Sequence, residues 1–157
     1  MYASLMLRRF YRDRQEDAHE FLLHLLANDA VAATLSRVRQ TPLLRCSACG
    51  LEILREHARD NFVCRALQVV TDGHVASSVQ EAVDMSLCAE AMDPDFIWSC
   101  PCCADSSPPS KRMTIEIHPQ VLCIQLTRWQ GHAAGQMIST PIDPDAVLTM
   151  ENEVYDL

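Results

Sequence analysis

The sequence predicts an α+β domain in which helices come first and a metal-clamped antiparallel sheet follows. Three observations carry that expectation. An apolar stripe with helical spacing occupies the front of the chain, and short alternating or wholly apolar runs fill the back. Two Cys-x-x-Cys pairs, Cys46-Ser47-Ala48-Cys49 and Cys100-Pro101-Cys102-Cys103, stand about fifty residues apart. At 157 residues the chain suits one domain with a real core and is short for two.

The first element is a helix over residues 14–28. Ala18, Phe21, Leu22, Leu25 and Leu26 fall on one face, and Glu16, Asp17, Glu20 and His24 on the other. Asp13 with Glu16 supplies a cap and its box partner. A weaker helix is expected over residues 29–39, stopped by Pro42. Residues 52–56 and 61–70 read as strands joined by a turn at 57–60. Ser78 and Glu81 form a capping box ahead of a short helix. Asp93-Pro94-Asp95 is a loop, and Phe96-Ile97-Trp98 approaches the second cysteine pair as a strand. Residues 106–110 read as a flexible surface loop. Met113, Ile115 and Ile117 alternate with polar residues as in a half-buried strand, which Pro119 ends. The apolar run 121–126 predicts a strand buried on both faces. Residues 131–135 form a hairpin-like turn, and Met137-Ile138 opens the return strand.

Four thiolates in two such pairs are what a tetrahedral Zn2+ needs, each loop aiming two sulfurs one way. Cys46, Cys49, Cys100 and Cys103 are therefore the expected ligands of a structural zinc. Gly50, free to take positive φ, lets the first loop turn back toward its sulfurs. A compact zinc ribbon leaves roughly 15–20 residues between pairs. The longer gap here predicts a metal that clamps distant stretches of a larger sheet. Cys102 is an alternative ligand to its neighbours. Cys64, Cys88 and Cys123 sit in apolar runs and read as small buried hydrophobes. His57 reads as an exposed turn residue.

The balance of 13 basic against 21 acidic residues, net −8, argues against a nucleic-acid partner. It favours a basic one. No apolar run is long enough to span a membrane. Arg8, Arg9 and Arg12 before the first acid admit either an organelle-targeting segment or an ordinary helix start. Eight cysteines with no secretory apolar region predict a reducing, intracellular setting, in cytoplasm or nucleus.

Three stretches together resemble the ubiquitin-specific proteases, a family of cysteine deubiquitinases. Gln15-Glu16-Asp17-Ala18-His19-Glu20-Phe21-Leu22 resembles the family's Gln-x-Asp-Ala-His-Glu-Phe-Leu helix. The widely spaced cysteine pairs resemble its zinc-bearing fingers. His118-Pro119-Gln120-Val121-Leu122-Cys123-Ile124-Gln125-Leu126-Thr127-Arg128-Trp129 resembles its Leu-Pro-x-Val-Leu-x-Ile-x-Leu-x-Arg-Phe strand, with His and Trp in place of Leu and Phe. The likeness covers residues 10–157.

It implies part of a papain-like fold with a helical thumb at 1–42, zinc-bearing β fingers at 43–112 and a β palm at 113–157. It further implies ubiquitin as partner, with Asp17 and Glu20 holding its arginine-bearing tail by charge-assisted contacts. A complete member hydrolyses the isopeptide bond after ubiquitin's last glycine with a cysteine nucleophile and a histidine base. The family's Asn-x-x-Cys-Tyr box has no counterpart here, and Tyr155-Asp156-Leu157 resembles only the first residues of its histidine box. His118 and His132 lack the right neighbours and read as exposed. The expectation is a chain truncated at both ends and inactive alone, so no catalytic residue is assigned. The alternative is a catalytically dead, zinc-stabilised ubiquitin-binding scaffold. A zinc-dependent nucleic-acid binder is disfavoured by charge.

Overall fold

The computed structural model describes residues 17–71, 73–130 and 136–156. Two helices open it, α1 (Ala18–Asn28) and α2 (Ala30–Leu35). Each starts on an aspartate that satisfies backbone donors left open at a helix start. Asp17 Oδ1 accepts from His19 N at 2.7 Å and Glu20 N at 3.3 Å. Asp29 Oδ1 accepts from Val31 N and Ala32 N, both at 3.0 Å. The expected start at residue 14, with Asp13 as cap, lies outside the described residues. Asp17 has extended backbone (φ −76°, ψ 116°), so a helix begins here instead of running through it.

Four strands follow in chain order, β1 (Val38–Arg45), β2 (Glu52–Leu54), β3 (Asp60–Phe62) and β4 (Arg65–Gln68). Next come β5 (Val70–Thr71), β6 (His74–Val75), α3 (Val79–Leu87), β7 (Glu90–Ala91) and β8 (Ser110–Ile117). The last are β9 (Ile124–Thr127), β10 (Trp129–Gln130), β11 (Gln136–Met137), β12 (Val147–Met150) and β13 (Glu153–Asp156).

The antiparallel sheet β2-β1-β8-β7, with β3 also on β1, is the frame of the molecule. It overturns the helix expected through Arg39, because Val38 and Arg39 already pair with Phe62 and Asn61. Pro42 does not stop a helix; it sits inside β1. Its carbonyl accepts from Arg55 N at 2.9 Å, on the flank where a 3-10 turn at Glu56–Ala58 separates β2 from β3. The missing N–H falls on that same flank, so the β1–β8 ladder loses no bond. Farther along, Arg39 pairs with Ile117 and Gln40 with Ile115, leaving Glu116 as an extra residue on β8. Such a bulge re-aims its side chain. Glu116 bonds Thr41 Oγ1 at 2.5 Å and Arg59 Nη2 at 3.0 Å.

The strand expected over residues 61–70 is broken at Val63 and Cys64 and again at Val69. At the first break the chain leaves β1 and passes to a parallel pairing of β4 with β9. Against this ladder lies α3, capped as the sequence foretold by Ser78 Oγ accepting from Glu81 N at 3.2 Å. The Glu81 carboxylate turns to Ser77, at 2.6 Å from its N and 2.7 Å from its Oγ. The apolar core gathers Val38, Leu67, Ala82, Val83, Ile115 and Met150 from five elements. The β12–β13 hairpin that supplies Met150 has no counterpart among the sequence expectations.

Other expectations need correction. Phe96-Ile97-Trp98 is not a strand: Asp93 turns the chain through bonds to Asp95 N at 2.8 Å and Phe96 N at 2.9 Å. Ile97 is consequently 98% exposed. The loop expected at 106–110 ends on a fully buried Pro109 whose carbonyl accepts from Met92 N at 3.1 Å. The run 121–126 forms β9 only from Ile124, and its residues are half-buried, with Val121 51% exposed. Cys64 is buried as expected and Cys123 half-buried, but Cys88 is exposed at the end of α3. The turn at 131–135 lies outside the described residues, while Met137 does return against Trp129. Among the described residues no helix is long and apolar enough to cross a membrane.

Candidate metal centre

Antiparallel pairing of β1 with β8 sets Arg45 opposite Ser110, so the end of one strand meets the start of the other. The first cysteine pair leaves β1 directly after Arg45, and the second lies in the loop leading to β8. The two loops are built alike. Cys46 N donates to Leu51 O at 2.9 Å and Gly50 N to Cys46 O at 2.9 Å. Cys100 N donates to Asp105 O at 2.8 Å and Ala104 N to Cys100 O at 2.9 Å. In both, the fourth residue after the leading cysteine takes positive φ, 74° at Gly50 and 59° at Ala104. Glycine adopts this region freely, whereas alanine is strained there. The sequence analysis singled out Gly50 and missed Ala104, although counting the same offset from Cys100 finds it.

This geometry brings the four expected sulfurs together, all within 4.8 Å of one another. Cys46 Sγ lies 3.7 Å from Cys103 Sγ, and Cys49 Sγ 3.6 Å from Cys100 Sγ. A tetrahedral zinc with Zn–S bonds of about 2.3 Å has sulfur–sulfur edges of about 3.8 Å. The cluster therefore fits such an ion. Cys46 and Cys100 are buried and Cys49 and Cys103 exposed, so one sulfur of each pair faces inward. Cys102 is exposed and takes no part. His57 lies elsewhere, on Arg55 Nη2 at 3.1 Å.

Crowding four thiols makes their protonation unequal. The Leu51 N–H draws the Cys49 thiol down, but burial and the sulfurs of Cys103, Cys100 and Cys46 together push it up to about 12. At Cys100 the backbone N–H of Cys103 leads; with those of Cys102 and the facing sulfurs it overcomes burial and brings the thiol to about 7. At Cys100 the amide donors prevail and favour thiolate, the state a metal requires, whereas at Cys49 and Cys103 burial and the neighbouring sulfurs prevail.

The other singled-out residues lie apart from the sulfurs in sequence. Asp17 and Glu20 are both exposed on the first turn of α1, and Asp17 already serves as the helix cap. His118, expected to be exposed, is half-buried with Nε2 3.4 Å from Glu151 Oε2. His132 lies outside the described residues.

No protein-family profile matches the chain. Ubiquitin carboxyl-terminal hydrolase 17 of Homo sapiens is 28% identical over 151 residues, which cover 88% of this chain and 28% of the relative. Ubiquitin carboxyl-terminal hydrolase 17-like protein 6 of the same species is 27% identical over 155 residues, covering 90% of this chain and 38% of the relative.

The chain is similar to part of the ubiquitin carboxyl-terminal hydrolases.

It spans 28–38% of the length of these two hydrolases. The fold agrees. A SAGA DUB module of Ubp8, Sgf11, Sus1 and Sgf73 bound to ubiquitin aldehyde matches with a TM-score of 0.74 at 19% identity, over 95% of this chain and 36% of that one. The module bound to monoubiquitin matches at 0.72 and 20% identity, over 87% and 33%. The chain thus shares its mixed helix-and-sheet fold with the matched part of those modules.

Proposed function

We propose that this chain is a ubiquitin-binding portion of a ubiquitin-specific protease-like domain, with a structural zinc at Cys46, Cys49, Cys100 and Cys103. The observation that supports it most is the four-sulfur cluster tying the end of β1 to the start of β8 in two matching loops. Residues 1–42 correspond to a thumb, 43–112 to fingers and 113–157 to a palm. The fingers, held at their tip by the metal, grip the body of ubiquitin. Asp17 and Glu20, exposed at the start of α1, meet the arginines of its tail. A reducing intracellular location follows from that role.

Hydrolysis needs a cysteine paired with a histidine base. Among the described residues the side-chain hydrogen bonds of the cysteines run to other cysteines and from Cys123 Sγ to Ser36 Oγ. The role proposed for these residues is binding.

Calorimetric titration with ubiquitin tests it, and no heat of binding to zinc-loaded protein would overturn it. Asp17→Asn is the informative variant, because asparagine caps a helix as well as aspartate while removing the charge. Affinity is expected to fall about tenfold with helix content unchanged, a loss typical of one charge-assisted contact. A ubiquitin bearing a C-terminal electrophile should leave the chain unmodified.

A further inference from the structure

Arg65 is the one charged residue among the described buried side chains, only 5% exposed at the start of β4. Its partners are neutral. Nη1 donates to Gln40 Oε1 at 3.0 Å and Nη2 to Ser86 Oγ at 3.0 Å. Ser86 commits its own proton to Val83 O at 2.6 Å, which leaves it an acceptor for Arg65. Nε is buried and has no partner at all. Among the described residues no carboxylate stands at ion-pair distance from the guanidinium. Glu151 acts on it only from farther off, while that carboxylate is engaged with Ile115 N and His118. Burial pulls the guanidinium below its usual range, and Glu151 opposes this only as the lesser influence.

A buried charge is tolerated when it is both paired and hydrogen-bonded. Arg65 has the second condition in part and lacks the first. It also lines a cleft of about 390 Å³ between the framework sheet and α3, shared with Phe62, Ala66 and Met113. That volume lies within the range of small-molecule sites, whose walls are apolar and whose few polar groups fix the ligand. Asp60 adds an exposed carboxylate to the lining.

We propose that this cleft binds the carboxylate of a small organic acid, with Arg65 as its counter-ion and Phe62, Ala66 and Met113 against its apolar body. A planar carboxylate matches the guanidinium fork, whose remaining Nη hydrogens are still to be used. One buried positive charge balances one negative charge. A phosphate dianion would carry a second negative charge toward Asp60, so the single-charge acid is the better fit.

The test is a titration of the full chain with sodium benzoate, followed by 15N–1H spectra that include the Arg65 Nε–H resonance. That resonance should shift saturably, with a dissociation constant on the order of 1 mM, together with the amides of Phe62, Ala66 and Ser86. Sodium chloride at equal ionic strength should not reproduce the shift. In Arg65→Met, a change to an apolar side chain that a buried site accepts, benzoate affinity should fall at least about tenfold. No saturable shift overturns the proposal, as does undiminished binding in Arg65→Met or saturation by inorganic phosphate and not by benzoate. Should the variant fail to fold, the wild-type Nε–H titration decides by itself. Neither zinc nor ubiquitin enters this measurement, so its outcome is separate from that of the ubiquitin reading.

Discussion

At one end of the β1–β8 ladder, beyond Arg45 and Ser110, four sulfurs converge on two tight loops. At the other end Val38 and Ile115 lie in an apolar cluster with Leu67, Val83 and Met150. On the proposed reading, the same pair of strands is secured by metal ligation at one end and by packing at the other. Packing tolerates small adjustments, because its energy is spread over many weak contacts. Ligation depends on four atoms and their deprotonation, so it fails all at once.

Removing the metal sharpens this contrast most. Structural zinc contributes on the order of 10 kcal/mol in small sites. Strong chelation, or Cys49→Ser, should therefore abolish amide-exchange protection at Leu44, Arg45 and Lys111 while leaving Val83 protected. One equivalent of zinc should be found before chelation. Uniform loss of protection along the whole ladder would break the proposed division.

At the packed end, Leu67→Ala removes a fully buried side chain, and a loss of about 3 kcal/mol is expected in denaturant unfolding. Zinc content should not change. A metal affinity that falls with core stability would mean that the two ends are one cooperative unit.

The matching loops make a paired prediction of opposite sign. Gly50→Ala meets no atom nearer than Arg45 Nη2 at 3.9 Å, so its cost is backbone strain alone, about 1 kcal/mol. Ala104→Gly relieves that strain and should stabilise the second loop by less than about 1 kcal/mol. Zinc-dependent thermal shifts of both variants check this, and destabilisation by Ala104→Gly would contradict the equivalence of the two loops.

The smallest effect concerns Glu81. Bonds from Ser77 N first, then Ser77 Oγ and His74, hold its carboxyl down from 4.5 to about 2. A carboxyl depressed in the folded state adds stability above its unfolded value and loses it as pH falls through the folded one. The deficit of Glu81→Gln should accordingly be complete at neutral pH, shrink below pH 4.5 and vanish near pH 2. A deficit independent of pH would assign Glu81 a packing role only.

The features legible in the chain were those with local causes. Helical spacing placed most of α1, the Ser78–Glu81 signature placed the start of α3, and the spacing within each cysteine pair named all four sulfurs. The positive φ at Gly50 follows from the same local logic. Where the outcome depended on which distant strand lies alongside, local reading failed. Pro42 looked like a helix stop, yet it is tolerated in a strand because its flank faces the break between β2 and β3. Residues 61–70 looked like one strand, yet they are divided among three ladders, with breaks at Val63-Cys64 and at Val69. The burial of Arg65 among neutral partners has no sequence signature, since Gln40 and Ser86 are tens of residues away. By itself, then, the sequence determined the start of α3, the alternating strand of β8 and the four cysteines that cluster, each legible from residues a few positions apart. Only the tertiary structure decided strand partnership, the bulge at Glu116 and the fate of Arg65, because desolvation and pairing depend on what the rest of the chain brings alongside.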